Sequence, residues 1–463
     1  DVYKRQAYNC VKRTSFLRSC LQLRKEIKLN WRKDEMKKLF ATALALTVSA
    51  GALFGLSACG GNKGNEIVVW CEATGSDKAV MDEFVKYFNE NNDLGYTMTY
   101  KMQDSVSESL ASASLGGTAP DLVIWPRWET ISKKNLLHDL SDKIEASETI
   151  ELSDYNEAAR RELEISGGVY GVPTDLDAWG LWSNMDLVSE EQIPSTWDEL
   201  IASTTALTSG SGNDTIVGLD AYNLRGQFYG FMLSAGGQLV DTSGTIPKIN
   251  IDISDKSSKS YTDAESVMNL FIELMTITGC PTDYHTDDKF IEGKVAMKFG
   301  PSNYDRTVET LSGKKMNLNF VGYPAKSETE GAVSGMLGGY SLAIPKSKDI
   351  DKGFSVMEWW LSDENLEKYC ELYSLLPAKT SLQSAKFVQE SQVLSTMKEM
   401  LPACDVRPIA KGYSNVETTW IFGTIDSLRE YIRTGSGSIK DADAALKQIK
   451  EKGDSQFQLE AML

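Results

Sequence analysis

The chain has 463 residues, a formal net charge of −17 and 41% apolar residues. This ordinary globular composition excludes a disordered or fibrous chain, and the length predicts two or three domains, each with its own core. Only two histidines, His138 and His285, stand among ten Trp, 18 Tyr and 15 Phe, so chemistries built on imidazole are poorly supplied.

The first 58 residues read as processing signal rather than fold. Met36-Lys37-Lys38 precedes an apolar run from Leu39 to Leu56, which closes on Leu56-Ser57-Ala58-Cys59. A basic start, an apolar middle and small residues before a cut make 36–58 a secretory signal peptide. A single membrane span is the competing reading, and Gly51, Gly55 and other small residues weaken it. The Leu-Ser-Ala-Cys ending resembles the bacterial lipobox. That resemblance implies cleavage before Cys59, lipid on its thiol, and an extracytoplasmic protein anchored to the bacterial cell membrane.

Residues 1–35 carry ten Lys/Arg against four Asp/Glu and look like translated upstream sequence. Removing that +6 and the +2 of 36–58 from the overall −17 leaves −25 on the remainder. So acidic a chain is not suited to nucleic acid, whose binding needs Lys/Arg to displace counterions, nor to docking on anionic lipid through a basic face. Cys71, Cys280, Cys370 and Cys404 show no C-x-x-C and no metal-ligand spacing. Free buried thiols are expected, with no metal and no other cofactor.

In chain order, 59–65 is a polar Gly/Asn linker, and Ile67-Val68-Val69-Trp70 predicts a strand buried on both faces. Val80, Phe84 and Phe88 have helical spacing, Tyr96–Met102 reads as a second strand, and Ser105-x-x-Glu108 opens a short helix. Leu122-Val123-Ile124-Trp125 predicts a third strand. Alternating strands and helices predict an α/β fold with a mostly parallel sheet. Gly167–Pro173 then predicts a hairpin or turn leading into a strand through Thr174–Trp182, and a helix spans Asp263–Thr278. Strands are expected at Val295–Phe299, Leu318–Tyr323 and Leu342–Pro345, and helices at Phe354–Tyr373, Phe387–Met400, Thr418–Ile432 and Ala442–Glu451.

Several segments then follow in a characteristic order. They are Gly117-Thr118-Ala119-Pro120-Asp121, Val169-Tyr170-Gly171-Val172-Pro173, Pro194-Ser195-Thr196-Trp197-Asp198, Gly300-Pro301, Gly338-Gly339-Tyr340 and Leu376-Pro377-Ala378. The chain resembles the extracellular solute-binding proteins of family 1, the substrate receptors of carbohydrate ABC importers, and within them the maltose and maltooligosaccharide binders. The resemblance implies a periplasmic-binding-protein-like fold (type II, Venus flytrap), two α/β lobes joined by a multi-strand hinge. It places crossovers near Pro173–Asp177, Tyr323–Leu337 and Tyr373–Pro377. Lobe one would be 66–174 plus 337–374, and lobe two 177–323 plus 377–455. The implied role is hinge-closing capture of a neutral oligosaccharide, first guess a maltooligosaccharide, by a monomer that delivers it to ABC transporter permease subunits.

A neutral sugar needs aromatic walls for its C–H faces and polar groups for its hydroxyls. Trp125-Pro126-Arg127-Trp128-Glu129 leaves the C-terminal end of a strand, where open α/β sheets bind ligands. Trp125 is expected in the core, and Arg127, Trp128 and Glu129 at the ligand. Asp175, Asp177 and Trp179 alternate along a strand and share one face. Glu72 follows the first strand and is suited to hydroxyls. By resemblance, Asp177, Tyr304, Tyr340 and Trp420 fall near ligand positions of the maltose binders, while Trp359-Trp360 reads as packing. Two other classes compete. A secreted glycosidase would need a carboxylate pair, for which Asp175 and Asp177 qualify by spacing, but no nucleophile motif, metal set or histidine cluster accompanies them. A receptor for a peptide, polyamine or metal ion is the third. An enzyme is not expected.

Overall fold

Along the strand Glu66–Glu72, Ile67, Val69, Trp70 and Cys71 are all buried, because the sheet is covered on both faces. The computed structural model describes residues 65–72 and 77–462; Cys59, the signal segment and residues 1–35 lie outside them. Glu66–Glu72 pairs in parallel with Thr97–Gln103 on one side and Leu122–Pro126 on the other. Helices Asp77–Asn91 and Val106–Leu115 supply the crossovers that parallel pairing requires. Ser105 caps the second, its Oγ accepting from the Glu108 N–H at 3.3 Å. Tyr340–Ala343 adds antiparallel to Leu122–Pro126, and Val172–Pro173 adds antiparallel to that, giving five strands. The predicted turn before Val172 is a small hairpin, Glu164–Ile165 against Gly168–Val169. Ser166 and Gly167 between them both have positive φ, the twist that suits a two-residue turn.

The second sheet is built on Asp175–Asn184, ten residues long. This strand runs antiparallel to Val295–Pro301, Leu318–Val321, Met336–Gly338 and Leu376–Pro377. Val217–Leu219 and Asp405–Val406 extend the sheet at its edges. The chain therefore passes between the sheets at Thr174, at Gly339 and between Tyr373 and Leu376. The second passage falls at Gly339 rather than before Leu337, because Met336–Gly338 still pairs with the long strand. Thr174 ties the three together: its N–H donates to the Tyr340 carbonyl at 3.0 Å, and its carbonyl accepts from Ala378 at 3.2 Å.

Aromatic side chains pack beside each sheet, and one apolar core draws on both, joining Ile67 and Val69 to Leu176, Trp182 and Phe320. Phe84 meets Trp360 at 4.5 Å and Tyr369 at 5.1 Å between ring centres, and Trp359 lies edge-on to Phe88. Phe299 stacks on Tyr323 beside the second sheet, with Phe231 and Phe271 behind. Trp125 is fully buried. Two predicted helices are each broken once. Ser362 is extended between Ile350–Leu361 and Asp363–Tyr373, and Ser391 separates Lys386–Glu390 from Gln392–Met400. Both serines bond locally to backbone, Ser362 to the Trp359 carbonyl and Ser391 to the Leu394 N–H, an alternative that competes with helix continuation. The last helix runs on to Met462.

Candidate functional site

Where the chain passes between the sheets, a cavity of about 310 Å³ opens. Glu72 comes to it from the end of the first strand, and Tyr340 from the strand after Gly339. Asp175, Asp177 and Trp179 come from one face of the long strand, and Arg306 from the helix Tyr304–Ser312. The i, i+2, i+4 alternation thus brings both aspartates and the tryptophan to one wall.

The two aspartates are held differently. Asp177 Oδ1 accepts from the Ser302 N–H at 3.0 Å and the Ser302 hydroxyl at 2.6 Å. Burial raises its pKa, and those bonds pull it back. Asp175 is fully buried; its carboxylate accepts from the Thr174 hydroxyl at 2.6 Å and the Tyr340 N–H at 3.3 Å. Burial still pushes it up to about 6 from the ordinary 3.8. The native state therefore holds this proton between pH about 4 and 6, where the unfolded chain has released it. The stability from the neutral group is present below about pH 4 and lost as pH rises through about 6. Asp175→Asn should therefore gain stability relative to wild type between pH 4 and 7, by up to about 3 kcal/mol. Urea unfolding of both proteins at the two pH values measures this, and a pH-independent difference would refute it.

Glu72 is half-buried, and its Oε2 has no hydrogen-bond partner. Burial raises its pKa, and the charges of Glu129 and Glu108 raise it further. Those two residues line a second cavity of about 390 Å³. Trp128 and Glu129 reach it from the first sheet's side, and Arg407, Tyr413 and Glu417 from the segment after Asp405–Val406. Burial raises Glu129 as well, against a hydrogen bond from Ser107.

Three residues expected at the ligand are placed elsewhere. Arg127 lines neither cavity and is 0% exposed. Its Nε donates to Glu162 at 2.8 Å, Nη1 to the Asp175 carbonyl at 2.6 Å, and Nη2 to the Gly338 carbonyl. It clamps two of the passages between the sheets. Tyr304 is buried against Trp182 and Phe290, its hydroxyl donating to Asp287 at 2.7 Å. Trp420 sits in the wide turn Val416–Ile421, its Nε1 directed at Gln456 of the last helix and Lys452 over its ring.

The cavities also hold residues that sequence reasoning passed over, chiefly Arg306, Tyr373, Tyr413 and Glu417. Arg306 was legible. Tyr304 and Val308, four apart, are the buried face of their helix, so Asn303, Arg306 and Thr307 share the other face and reach the cavity. Tyr413 and Glu417 carry no such signal, because an irregular segment positions them. Cys71, Cys280, Cys370 and Cys404 are unpaired, Cys404 only half-buried. Among the described residues no group of three or more His, Cys, Asp or Glu is placed to hold a metal ion.

A family model, that of the bacterial extracellular solute-binding proteins, matches residues 83–396. The chain belongs to this family. It is similar to the galactooligosaccharide-binding protein of Bacillus subtilis (strain 168), with 23% identity over 433 residues, 89% of this chain and 97% of that protein. The maltodextrin-binding protein MdxE of the same organism is 22% identical over 445 residues, 89% of this chain and 99% of that one. Among solved structures, the maltose/maltodextrin-binding domain of Bdellovibrio bacteriovorus bound to maltotriose has a TM-score of 0.65 at 16% identity, covering 85% of this chain and all of that one. A solute-binding protein from Thermotoga lettingae bound with α-D-tagatose has a TM-score of 0.66 at 18% identity, over 85% of this chain and all of that one. The solute-binding protein thus has the two-lobe α/β fold of the maltose-binding type. The family and these relatives are substrate-binding proteins rather than enzymes, and the family's extracellular character implies an extracytoplasmic position. No helix among the described residues is long and apolar enough to cross a membrane.

Proposed function

We propose that this solute-binding protein captures a neutral oligosaccharide between its lobes and delivers it to an ABC importer's permease. One observation carries the reading: Asp177, Trp179 and Tyr340 converge with Glu72, whose Oε2 has no hydrogen-bond partner, on one cavity at the passages between the sheets. Rings for C–H faces beside fixed acceptors for hydroxyls are the surface a sugar needs. The relatives named for galactooligosaccharide and maltodextrin support the same class. A maltooligosaccharide stays the first choice and a galactooligosaccharide the second. The proposed lobes are 66–174 with the chain from Gly339 to 374, and 177–338 with 377–455. Ligand bridging them biases an open–closed equilibrium. The proposed anchor is lipid on Cys59, which the mass of the mature N-terminus would reveal.

The test is calorimetric titration of a 60–463 fragment against malto- and galacto-oligosaccharides, with a peptide, a polyamine and divalent cations as the rival arm. One of the sugars should bind, and saturating it should shrink the radius of gyration in solution scattering. Trp128→Ala and Asp177→Asn should each weaken binding by about 1–3 kcal/mol. Trp420→Ala should bind as wild type, because its ring lies against the last helix. Binding of a peptide or cation with no sugar bound, or wild-type affinity in both site variants, would overturn the proposal.

A further inference from the structure

The helix Asp363–Tyr373 lies in the first proposed lobe and ends at the third passage, where Ser374 turns with φ +53°. The carbonyls of a helix's last turn have no partner within the helix, and they carry the negative end of its dipole. One of them, that of Tyr373, accepts from Arg306 Nη1 at 2.6 Å, and the guanidinium lies 5.8 Å from the centre of the Tyr373 ring. Arg306 stands on Tyr304–Ser312, a helix of the second proposed lobe. Both ends of this contact are firmly mounted. Tyr373 packs on Tyr369 at 4.8 Å, and Tyr369 packs on Trp360 and Phe84 of the first lobe. Two residues before Arg306, Tyr304 donates to Asp287, which also accepts from Lys298 at 2.6 Å.

We infer that Arg306 is a latch between the lobes, a positioning residue that favours the closed arrangement by capping the first lobe's helix from the second. The inference rests on the two-lobe capture reading above and adds what draws the lobes together besides the ligand. The charges around Arg306 give it that weight. Glu72 on the first lobe, Asp175 at the first passage and Asp177 on the second lobe line one cavity. Among the described residues lining it, Arg306 is the only lysine or arginine. Burial raises the pKa of all three acids, and drawing acidic walls together adds their mutual repulsion. A single cation reaching from one wall to the other offsets it. The contact also depends on lobe angle, because a hydrogen bond weakens steeply once bent below about 120°. Turning the second lobe away from the first therefore releases the Tyr373 carbonyl. Only Nη1 of the guanidinium fork is used on it, so a lysine at the same place can serve as donor and cation.

The experiment compares wild type, Arg306→Met and Arg306→Lys by solution scattering and by calorimetric titration with maltotriose and β-galactotriose. Without sugar, Arg306→Met should have a larger radius of gyration than wild type. With saturating sugar the two radii should coincide, since the ligand then supplies the bridge. The Kd of Arg306→Met should rise about fivefold, the scale of one hydrogen bond. Arg306→Lys should stay within about twofold of wild type in Kd and match its sugar-free radius, because the cation and one donor remain. A merely structural role would lower the urea midpoint and leave the sugar-free radius unmoved. Weaker binding by Arg306→Met with a wild-type radius before sugar would overturn the latch and make Arg306 a direct sugar contact. Wild-type radius and affinity in Arg306→Met would overturn it outright. If neither sugar binds folded wild type, the oligosaccharide reading fails, and the sugar-free radii still decide the latch separately.

Discussion

Replacing Arg127 by methionine should lower the unfolding free energy by about 3–5 kcal/mol, the scale of breaking a buried ion pair from one side. Glu162 would be left a buried acid without its partner. Its pKa is already raised by burial and held down by the Arg127 charge. The carbonyls of Asp175 and Gly338 would lose their donors as well. Urea unfolding at pH 7 measures the loss, with a double variant, Arg127→Met with Glu162→Leu, as control. The double variant should recover part of the loss, because it removes the orphaned charge. A cost below about 1 kcal/mol in the single variant would show that the clamp contributes little.

Gly339→Ala should be nearly as severe, about 3 kcal/mol or more, by a different route. Gly339 has φ +125°, a backbone region that side-chain-bearing residues rarely adopt. A Cβ there would also stand 2.3 Å from Arg127 Nη1 and 2.4 Å from the Asp175 carbonyl oxygen. The glycine gives the guanidinium room to reach both strands, and its own carbonyl accepts from the Arg127 N–H at 3.1 Å. The two substitutions are therefore coupled. In the combination with Arg127→Met the clash with Nη1 disappears, so the losses should sum to less than the separate values. Strict additivity in a double-mutant cycle would contradict this geometry. A wild-type melting profile for Gly339→Ala would contradict the strain itself.

Much of the first sheet was legible in the sequence. Ile67–Trp70 and Leu122–Trp125 are unbroken apolar runs, and only a strand covered on both faces buries every residue of such a run. The alternation of Asp175, Asp177 and Trp179 likewise fixed one shared face, and all three line the cavity. Helix breaks at Ser362 and Ser391 were not legible, because the periodicity of apolar residues continues through both while a serine's local hydrogen bond ends the helix. Tyr304 misled for a related reason: an aromatic residue after Gly300-Pro301 suits a sugar or a core equally well. Its helix turns it toward Trp182 and Phe290.

Arg127 shows most clearly where sequence reasoning stops. A charged residue between two tryptophans at a strand's end suits a ligand contact, and nothing local distinguishes that from a buried clamp. The difference lies in Glu162, Asp175 and Gly338, brought to it from 35, 48 and 211 residues along the chain. Hydrophobic period, turn residues and strand alternation are local, so the sequence by itself determined the class of fold, the strand order's parallel start and the acidic, aromatic character of the cleft. Which charged side chains near the cavities are instead buried as clamps was decided by tertiary structure alone. Burying a charge is tolerated only where partners distant in sequence meet it, and that meeting exists only once both sheets have formed.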